Sequence, residues 1–281
     1  MILLADSGST KTSWLAFDNG KEIFKTKSKG LNPAVFKKED LKKRILNNEE
    51  LIANKETVEE IYFYGAGCGT ATPRKILRKV LQQIFTNATI VIKEDTEAAV
   101  YSVTSEPAIV CILGTGSNCS YFDGEKVHQK ITSLGYSVMD DASGNYYGKV
   151  LLREYFFNKM PEDFADGFKL NYNLSSDDIK KNLYKKENPN TYLAGFSHYL
   201  VHHKNSDYAQ KLIKDGLRLF IENQILQYKE SKELPVHFIG SLAFYLEEEI
   251  RSVFEEYGLI LGKFERRPID GLAQYHINKK P

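Results

Sequence analysis

An aspartate that closes an apolar run, followed by a turn of glycine and hydroxyl residues, is a place to hold phosphate and a hydrated cation. Residues 4–12, LADSGSTKT, have that form. Asp6 could hold a hydrated Mg²⁺, and the backbone N–H groups, hydroxyls and Lys11 of the turn could hold phosphate. A nucleotide P-loop is excluded. It needs a glycine directly before its lysine and another five residues earlier, where Thr10 and Ala5 stand here. The apolar runs on either side, Ile2 to Ala5 and Trp14 to Phe17, predict a hairpin instead. Taken alone, such a turn also fits a plain hairpin with a polar tip. A second glycine-hydroxyl turn, Gly114-Thr115-Gly116-Ser117-Asn118, follows the apolar run Ala108–Leu113. Asp95 ends a third run, Thr89–Ile92 plus Lys93-Glu94, just ahead of the helical stretch Thr96-Glu97-Ala98-Ala99. A carboxylate at a strand end is placed to take a proton from a bound hydroxyl. Asp95 or Thr96 fits a helix N-cap equally well.

The elements that must carry these residues read as a repeat. Three short strands are expected at Ile2–Asp6, Ser13–Asp18 and Glu22–Lys27, with Asn19-Gly20 as a type I′ turn. A helix over Lys38–Asn47 follows, then a strand Glu60–Tyr64 ending in Gly65-Ala66-Gly67-Cys68-Gly69. Thr72-Pro73 starts a helix whose apolar face is Ile76, Leu77, Val80, Leu81, Ile84 and Phe85. The order then restarts, with strands Ala108–Leu113, Cys119–Phe122 and Lys126–Ile131. An inserted helical region spans about 162–230. A strand Pro235–Ile239 ends in Gly240-Ser241, a helix carries Leu242, Leu246 and Ile250, a strand runs Leu259–Phe264, and Ile269–Asn278 is the last helix. Strand-strand-strand-helix-strand-helix-strand-helix therefore occurs twice. Each copy opens on a strand and a small-residue turn, which is stronger evidence for phosphate than either turn alone. The expected fold is α/β, with two similar domains and a cleft between them. The N-terminal domain would cover 1–104, with the last helix, 269–281, packing back on it. The C-terminal domain would cover 105–268.

Composition excludes several classes. With 38 basic and 37 acidic residues, the net charge of +1 gives no argument for nucleic acid or an anionic membrane as partner. The hydrophobic share of 42% is enough for a packed core. Cys68, Cys111 and Cys119 form no CxxC pair, which points to buried reduced thiols. The six histidines show no metal-ligand spacing. No apolar run approaches the roughly 20 residues that span a bilayer. The start MILLADSGS lacks a basic leader region, so a soluble cytoplasmic protein is expected.

With these motifs assembled, the chain resembles the actin/hexokinase/Hsp70-type ATPases, which implies that its two domains are ribonuclease H-like, of the actin/hexokinase type. Within them it looks like the N-acetylglucosamine kinase branch, which shares a domain type with the BadF/BadG/BcrA/BcrD ATPases. The resemblance rests on DSGSTKT (6–12), GAGC (65–68), EDTEAA (94–99), GTGSNC (114–119), MDDASGNYYG (139–148) and Gly240-Ser241. It implies that Asp6 positions Mg²⁺ through water and that Gly8, Ser9, Thr10 and Lys11 contact the ATP phosphates. Thr115, Gly116 and Ser117 would form the second phosphate turn, and Gly240 and Ser241 would lie near the adenosine. Asp95 would be the general base, with Asn32 and Asp141 binding the sugar. The family's usual DGGGTKT is altered here to DSGSTKT, with Ser7 and Ser9 replacing glycines. Its sugar-site glycine stretch is reduced to Leu134-Gly135-Tyr136-Ser137-Val138, so the kinase class is better supported than any one sugar.

Other residues are expected to be structural. Asp140 is expected exposed or as an N-cap near Ser143, and Glu94 and Glu97 solvated. Tyr146, Tyr147, Phe156 and Phe157 are expected in the core, and His202 and His203 at the surface. Asn32-Pro33 also fits a simple turn. The function expected is ATP-dependent phosphorylation of an N-acetylated amino sugar, of the N-acetylglucosamine or N-acetylmuramic acid type. The inserted region allows a homodimer. The alternatives are a partner-coupled ATPase, whose iron–sulfur relatives need paired cysteines that are missing here, and a non-catalytic sugar sensor.

Overall fold

The computed structural model describes residues 1–8 and 10–279, the side chain of Lys279 excepted. Among them the chain forms two compact units, one of residues up to 105 together with 267–279 and one of residues 106–266.

The first unit begins with β1 (Ile2–Ser7), β2 (Lys11–Asp18) and β3 (Lys21–Lys29), an antiparallel meander. Helices α1 (Lys38–Leu46) and α2 (Glu49–Ala53) lead to β4 (Glu60–Gly65), which lies parallel to β1. Helix α3 (Ala71–Ile84) returns the chain to β5 (Thr89–Lys93), parallel to β4, and α4 (Asp95–Val103) follows at once. The sheet order is β3-β2-β1-β4-β5.

Strand β1 is apolar on both faces, as a central strand covered on both sides must be. Leu3 and Ala5 pack with Trp14, Phe63, Leu77 and Val80 on one face. Ile2 and Leu4 pack with Leu15, Phe17, Ala98, Ile269 and Leu272 on the other. The spacing of Leu77, Val80, Leu81 and Ile84 on α3 is what buries one face of that helix and leaves Lys75, Arg78 and Lys79 outward. Each such fully buried aliphatic side chain contributes roughly 1.5–3 kcal/mol.

The second unit repeats the plan. Its strands are β6 (Ala108–Leu113), β7 (Ser117–Phe122) and β8 (Val127–His128). Helices α5 (Gly144–Phe156), α6 (Glu162–Asn171), α7 (Ser176–Tyr184), α8 (Pro189–His202) and α9 (Asp207–Asn223) follow. Then come β9 (Val236–Ile239), α10 (Ser241–Tyr245), α11 (Glu247–Tyr257) and β10 (Leu261–Glu265). The sheet order is β10-β9-β6-β7-β8. With β6–β7 antiparallel and β6–β9 and β9–β10 parallel, it matches the first sheet strand for strand. The final helix, α12 (Pro268–Lys279), belongs to the first unit, where Ile269 and Leu272 join its core.

Three expectations about local structure are corrected. The third strand of the second unit covers two residues rather than Lys126–Ile131. The Lys130 N–H donates to Tyr228 Oη at 3.0 Å and Gln129 donates to Asn118 at 2.9 Å, so the ladder ends there. Phe156 and Phe157, expected in the core, are exposed at the end of α5, whereas Tyr147 is fully buried and its hydroxyl donates to Ile213 O at 2.8 Å. The last strand begins at Leu261, two residues later than expected.

Candidate active site

The parallel strands of the first unit end side by side. Asp6 on β1 pairs in register with Tyr64 on β4, which pairs with Lys93 on β5. Asp6 and Asp95 therefore flank the end of β4. With strands about 4.8 Å apart, their backbones lie roughly 10 Å from each other. Both carboxyls are half-buried. Burial, with Asp95 adding repulsion and Lys11 opposing it, raises the Asp6 pKa to about 7. Burial and the neighbouring Glu94 raise that of Asp95 to about 6, although the Thr96 N–H donates to Asp95 Oδ1 at 3.0 Å. Two carboxyls held this way titrate near neutrality, the range in which a carboxylate works as a general base.

The N-cap of α4 is Glu94, not Asp95 or Thr96. Its capping box with Glu97 closes through the Glu94 N–H to Glu97 Oε2 at 3.3 Å, and Lys93 Nζ holds Glu97 Oε1 at 2.8 Å. Glu94 and Glu97 are thus part of the helix start rather than solvated, and they leave Asp95 free of the capping task. The Glu94 carboxyl also lies where a side chain at Gly69 would be, 2.0 Å from that position.

The hairpin after β1 is tied from below. Ser7 is fully buried, its hydroxyl shares a 2.8 Å hydrogen bond with Thr12 Oγ1, and the Leu31 N–H donates to it at 3.0 Å. The serine that replaces a glycine in the resemblance therefore fastens the 30–34 loop to the hairpin. That loop carries Asn32, whose Oδ1 accepts from the Ala34 N–H at 2.9 Å. Asn32 lies against Gly67, where φ is +77° and an added Cβ would fall 2.0 Å from Asn32 Oδ1. Only glycine satisfies both that backbone and that approach. Gly8, Thr10 and Lys11 are exposed at the hairpin tip, and the Gly8 N–H donates to Lys11 O at 3.0 Å. Ser9 lies outside the described residues.

In the second unit the turn after β6 is held against the start of α5. The N–H groups of Gly144 and Asn145 donate to the carbonyls of Gly114 and Thr115 at 2.8 and 3.0 Å. Asn145 Nδ2 donates to Thr115 O at 2.7 Å and to Asp140 Oδ2 at 2.8 Å. Asp140 also accepts from the Ser117 N–H, and its carboxyl lies 2.8 Å from where a side chain at Gly116 would be. Asp140 was expected exposed and is buried, with burial raising its pKa against these hydrogen bonds. Asp141 points elsewhere, accepting from Asn223 Nδ2 on α9 at 2.9 Å. The N-cap of α5 is Ser143, whose hydroxyl accepts from the Tyr146 N–H at 3.2 Å.

Thr115, Gly114 and Ser241 line a cavity of about 480 Å³ together with Gly144, His198 and Arg266. Gly240, just before Ser241, has φ of +118° and approaches so closely that a Cβ would lie 2.3 Å from Leu113 O. Arg266 closes one side, its guanidinium donating to Tyr245 Oη at 2.8 Å. The volume suits a nucleoside-sized ligand.

The geometry has a counterpart in known structures. A structure of a candidate N-acetylglucosamine kinase from Porphyromonas gingivalis is 34% identical, covers 100% of both chains and superposes with a TM-score of 0.94. The chain belongs to the N-acetylglucosamine kinase-like family. This is a family of sugar kinases with the two-domain α/β fold of the actin/hexokinase type, in line with a BadF/BcrA-type ATPase. Two more distant structures share the fold. A candidate N-acetylglucosamine kinase from Chromobacterium violaceum is 13% identical over 98% of each chain, with a TM-score of 0.77. A glucokinase of the ROK family from Streptomyces griseus, complexed with glucose and AMPPNP, is 13% identical over 98% of this chain and 97% of its own, with a TM-score of 0.60. No family model and no curated protein matches the chain.

For this member of the N-acetylglucosamine kinase-like family, sequence reasoning did not find Ser7, Asn145 or Arg266. Ser7 reads as a missing glycine until its hydroxyl's two partners, Thr12 and Leu31, are seen. Asn145, five residues after Asp140 and at the start of a helix, was the one with a usable signal, because a polar residue there can reach back to the preceding turn.

Proposed function

We propose that the protein transfers the γ-phosphoryl group of ATP to a hydroxyl of an N-acetylated amino sugar, of the N-acetylglucosamine or N-acetylmuramic acid type. The observation that carries this reading is the half-buried Asp95 at the end of β5, uncommitted to capping and with its pKa raised to about 6. Asp95 accepts the proton of the sugar hydroxyl as that oxygen bonds to phosphorus and the bond to ADP breaks. Phosphoryl transfer otherwise asks for position and charge neutralisation, which small-residue turns supply through N–H donors. In this reading Gly8, Ser9, Thr10 and Lys11 take the β- and γ-phosphates, and Thr115, Gly116 and Ser117 form the second phosphate turn. Gly240 and Ser241 take the adenosine, and Asn32 takes the sugar. Of the two adjacent acids, Asp140 is the better sugar-side candidate than Asp141, because its carboxyl is aimed at the Gly116 turn.

Mg²⁺ fits this site. No cluster of three His, Cys, Asp or Glu side chains forms among the described residues, so a cation would be held by Asp6 through water and by the nucleotide's phosphates. Asp6, half-buried and pushed up to about 7 by burial and Asp95, is a carboxylate that a cation would stabilise. Bound there, Mg²⁺ would neutralise phosphate charge. Cys68, Cys111 and Cys119 are all buried, and burial pushes the Cys68 thiol up to about 12, which gives a cluster-bearing ATPase no support.

ADP release from Mg-ATP, measured with N-acetylglucosamine, N-acetylmuramic acid, N-acetylmannosamine, glucosamine and glucose, tests the reading. Strong release with one N-acetylated sugar is expected. A slow rate indifferent to all five would overturn it.

A further inference from the structure

On the outer edge of the first unit, β3 and α1 enclose a second cavity of about 580 Å³ lined by Thr10, Lys27, Lys29, Asp40, Lys43 and Arg44, among others. Four cations thus meet one carboxylate. Among the described residues, neither Lys27, Lys29, Lys43 nor Arg44 has an ion-pair partner within 4.0 Å, although this chain pairs many of its other charges. Lysines on an exposed edge strand guard against strand-to-strand association, which accounts for Lys21 and Lys25. It does not account for Lys43 and Arg44, which reach the same hollow from a helix.

The walls are built rather than loose. Arg44 Nη1 donates to Gly30 O at 2.8 Å, and its guanidinium lies 3.6 Å over the Phe36 ring. Asn48, almost fully buried, ties α2 to β3 through Thr26 Oγ1 and Lys27 O, each at 2.9 Å. The Gly30 N–H donates to Thr10 O at 2.9 Å, which fixes the cavity's rim to the hairpin. Only Thr10 is shared with the catalytic residues proposed above.

We propose that this cavity binds a small phosphorylated anion, separate from the nucleotide. The charge excess and the fixed arginine suit a phosphomonoester or a free phosphate. The volume admits a sugar phosphate and is far too small for a polymer. A ligand here would steady the hairpin through the link between Gly30 and Thr10. The inference concerns binding alone and does not depend on which sugar the protein phosphorylates.

Backbone amide shifts of the full chain, titrated separately with inorganic phosphate and with glucosamine 6-phosphate, test it. Saturable shifts at Lys29, Gly30, Arg44 and Asn48 are expected. A Lys29→Gln/Lys43→Gln double variant, both positions exposed and tolerant of change, should weaken the binding about tenfold or more. Asp40→Asn should tighten it by removing the one repelling carboxylate. Saturation by the sugar phosphate at lower concentration identifies a phosphomonoester site, and equal saturation by both identifies a general phosphate site. Either supports the proposal. Shifts confined to Gly114–Ser117, shifts that do not saturate, or a double variant that binds as well as wild type would overturn it.

Discussion

The two sheets have the same strand order and opposite chemistry at the same end. In the first, the row Asp6–Tyr64–Lys93 crosses β1, β4 and β5 near their ends. In the second, the row Ile112–Ile239–Glu265 crosses β6, β9 and β10. Asp6 thus corresponds to Ile112, and one residue further Glu94 corresponds to Arg266. One copy of the fold presents acids where the other presents an aliphatic side chain and a guanidinium. The duplicated topology supplies turns in both places, but the carboxylates proposed to take part in the reaction stand in the first copy, and the cavity suited to a nucleoside lies in the second. Duplication here sets position, and the residues at strand ends set the task.

The sharpest way to break that division is Asp95→Asn. The variant should fold normally, since Glu94 caps α4 without it, and lose on the order of 10²-fold or more in kcat. Near-normal turnover would remove Asp95 as the base. In the wild type, kcat/KM should rise with pH as the Asp95–Asp6 pair ionises between about 6 and 7. A profile flat from pH 5 to 8 would contradict this.

In the second unit the matching test is Gly240→Val. Its Cβ would fall 2.3 Å from Leu113 O, on a backbone with φ of +118°. Nucleotide affinity should drop about tenfold or more, with a stability cost of roughly 1–3 kcal/mol from the strained backbone alone. Unchanged ATP titration by calorimetry would show that the β9–α10 turn has no part in nucleotide binding. Asn145→Ala should follow in size. It strips the buried Asp140 and the Thr115 carbonyl of their shared donor and should cost roughly 1–3 kcal/mol in chemical denaturation.

The first unit's acids also load its stability with a pH dependence. Asp6 and Asp95 have folded pKa values raised above the usual 3.8, so the folded chain binds protons more tightly than the unfolded one. Their contribution therefore favours folding below about pH 4 and is lost as pH rises through about 6 to 7. Asp6→Asn should be more stable than wild type at pH 8, by on the order of 1 kcal/mol, and no different near pH 4. Thermal melts at the two pH values check this, and equal gains at both would refute the cause.

Much of this was legible from residue pattern. The runs around Ser7–Lys11 and Gly114–Gly116, with period-two and helical spacing between, foretold strands and helices near their observed places. What was not legible lay in side chains whose partners are distant in sequence. Ser7 needs Leu31 and Thr12 to become a fastener. The burial of Asp140 depends on Asn145 and on the bare Cα of Gly116 across the turn. Capping was misplaced by one residue, because Glu94 and Asp95 are both acids and only the backbone decides which of them precedes the first helical turn.

Asp140 and Asp141 give the smallest and most discriminating contrast. They are adjacent, identical in chemistry and both follow the altered glycine stretch, so sequence alone does not separate them. The positive φ at Asp140, 69°, and at Ala142, 56°, turns the chain so that one acid enters the unit and the next leaves it. Asp141 keeps a single hydrogen bond, to Asn223, which is exposed. Asp141→Ala should then change stability by no more than about 0.5 kcal/mol and leave the sugar KM within about twofold. Asp140→Asn, which preserves shape and removes charge, should raise the sugar KM well beyond that. The two KM values, measured side by side with the sugar that supports ADP release, decide the assignment. If Asp141→Ala raises KM and Asp140→Asn does not, the outward acid is the sugar ligand, and Asp140 serves only to hold the Gly116 turn.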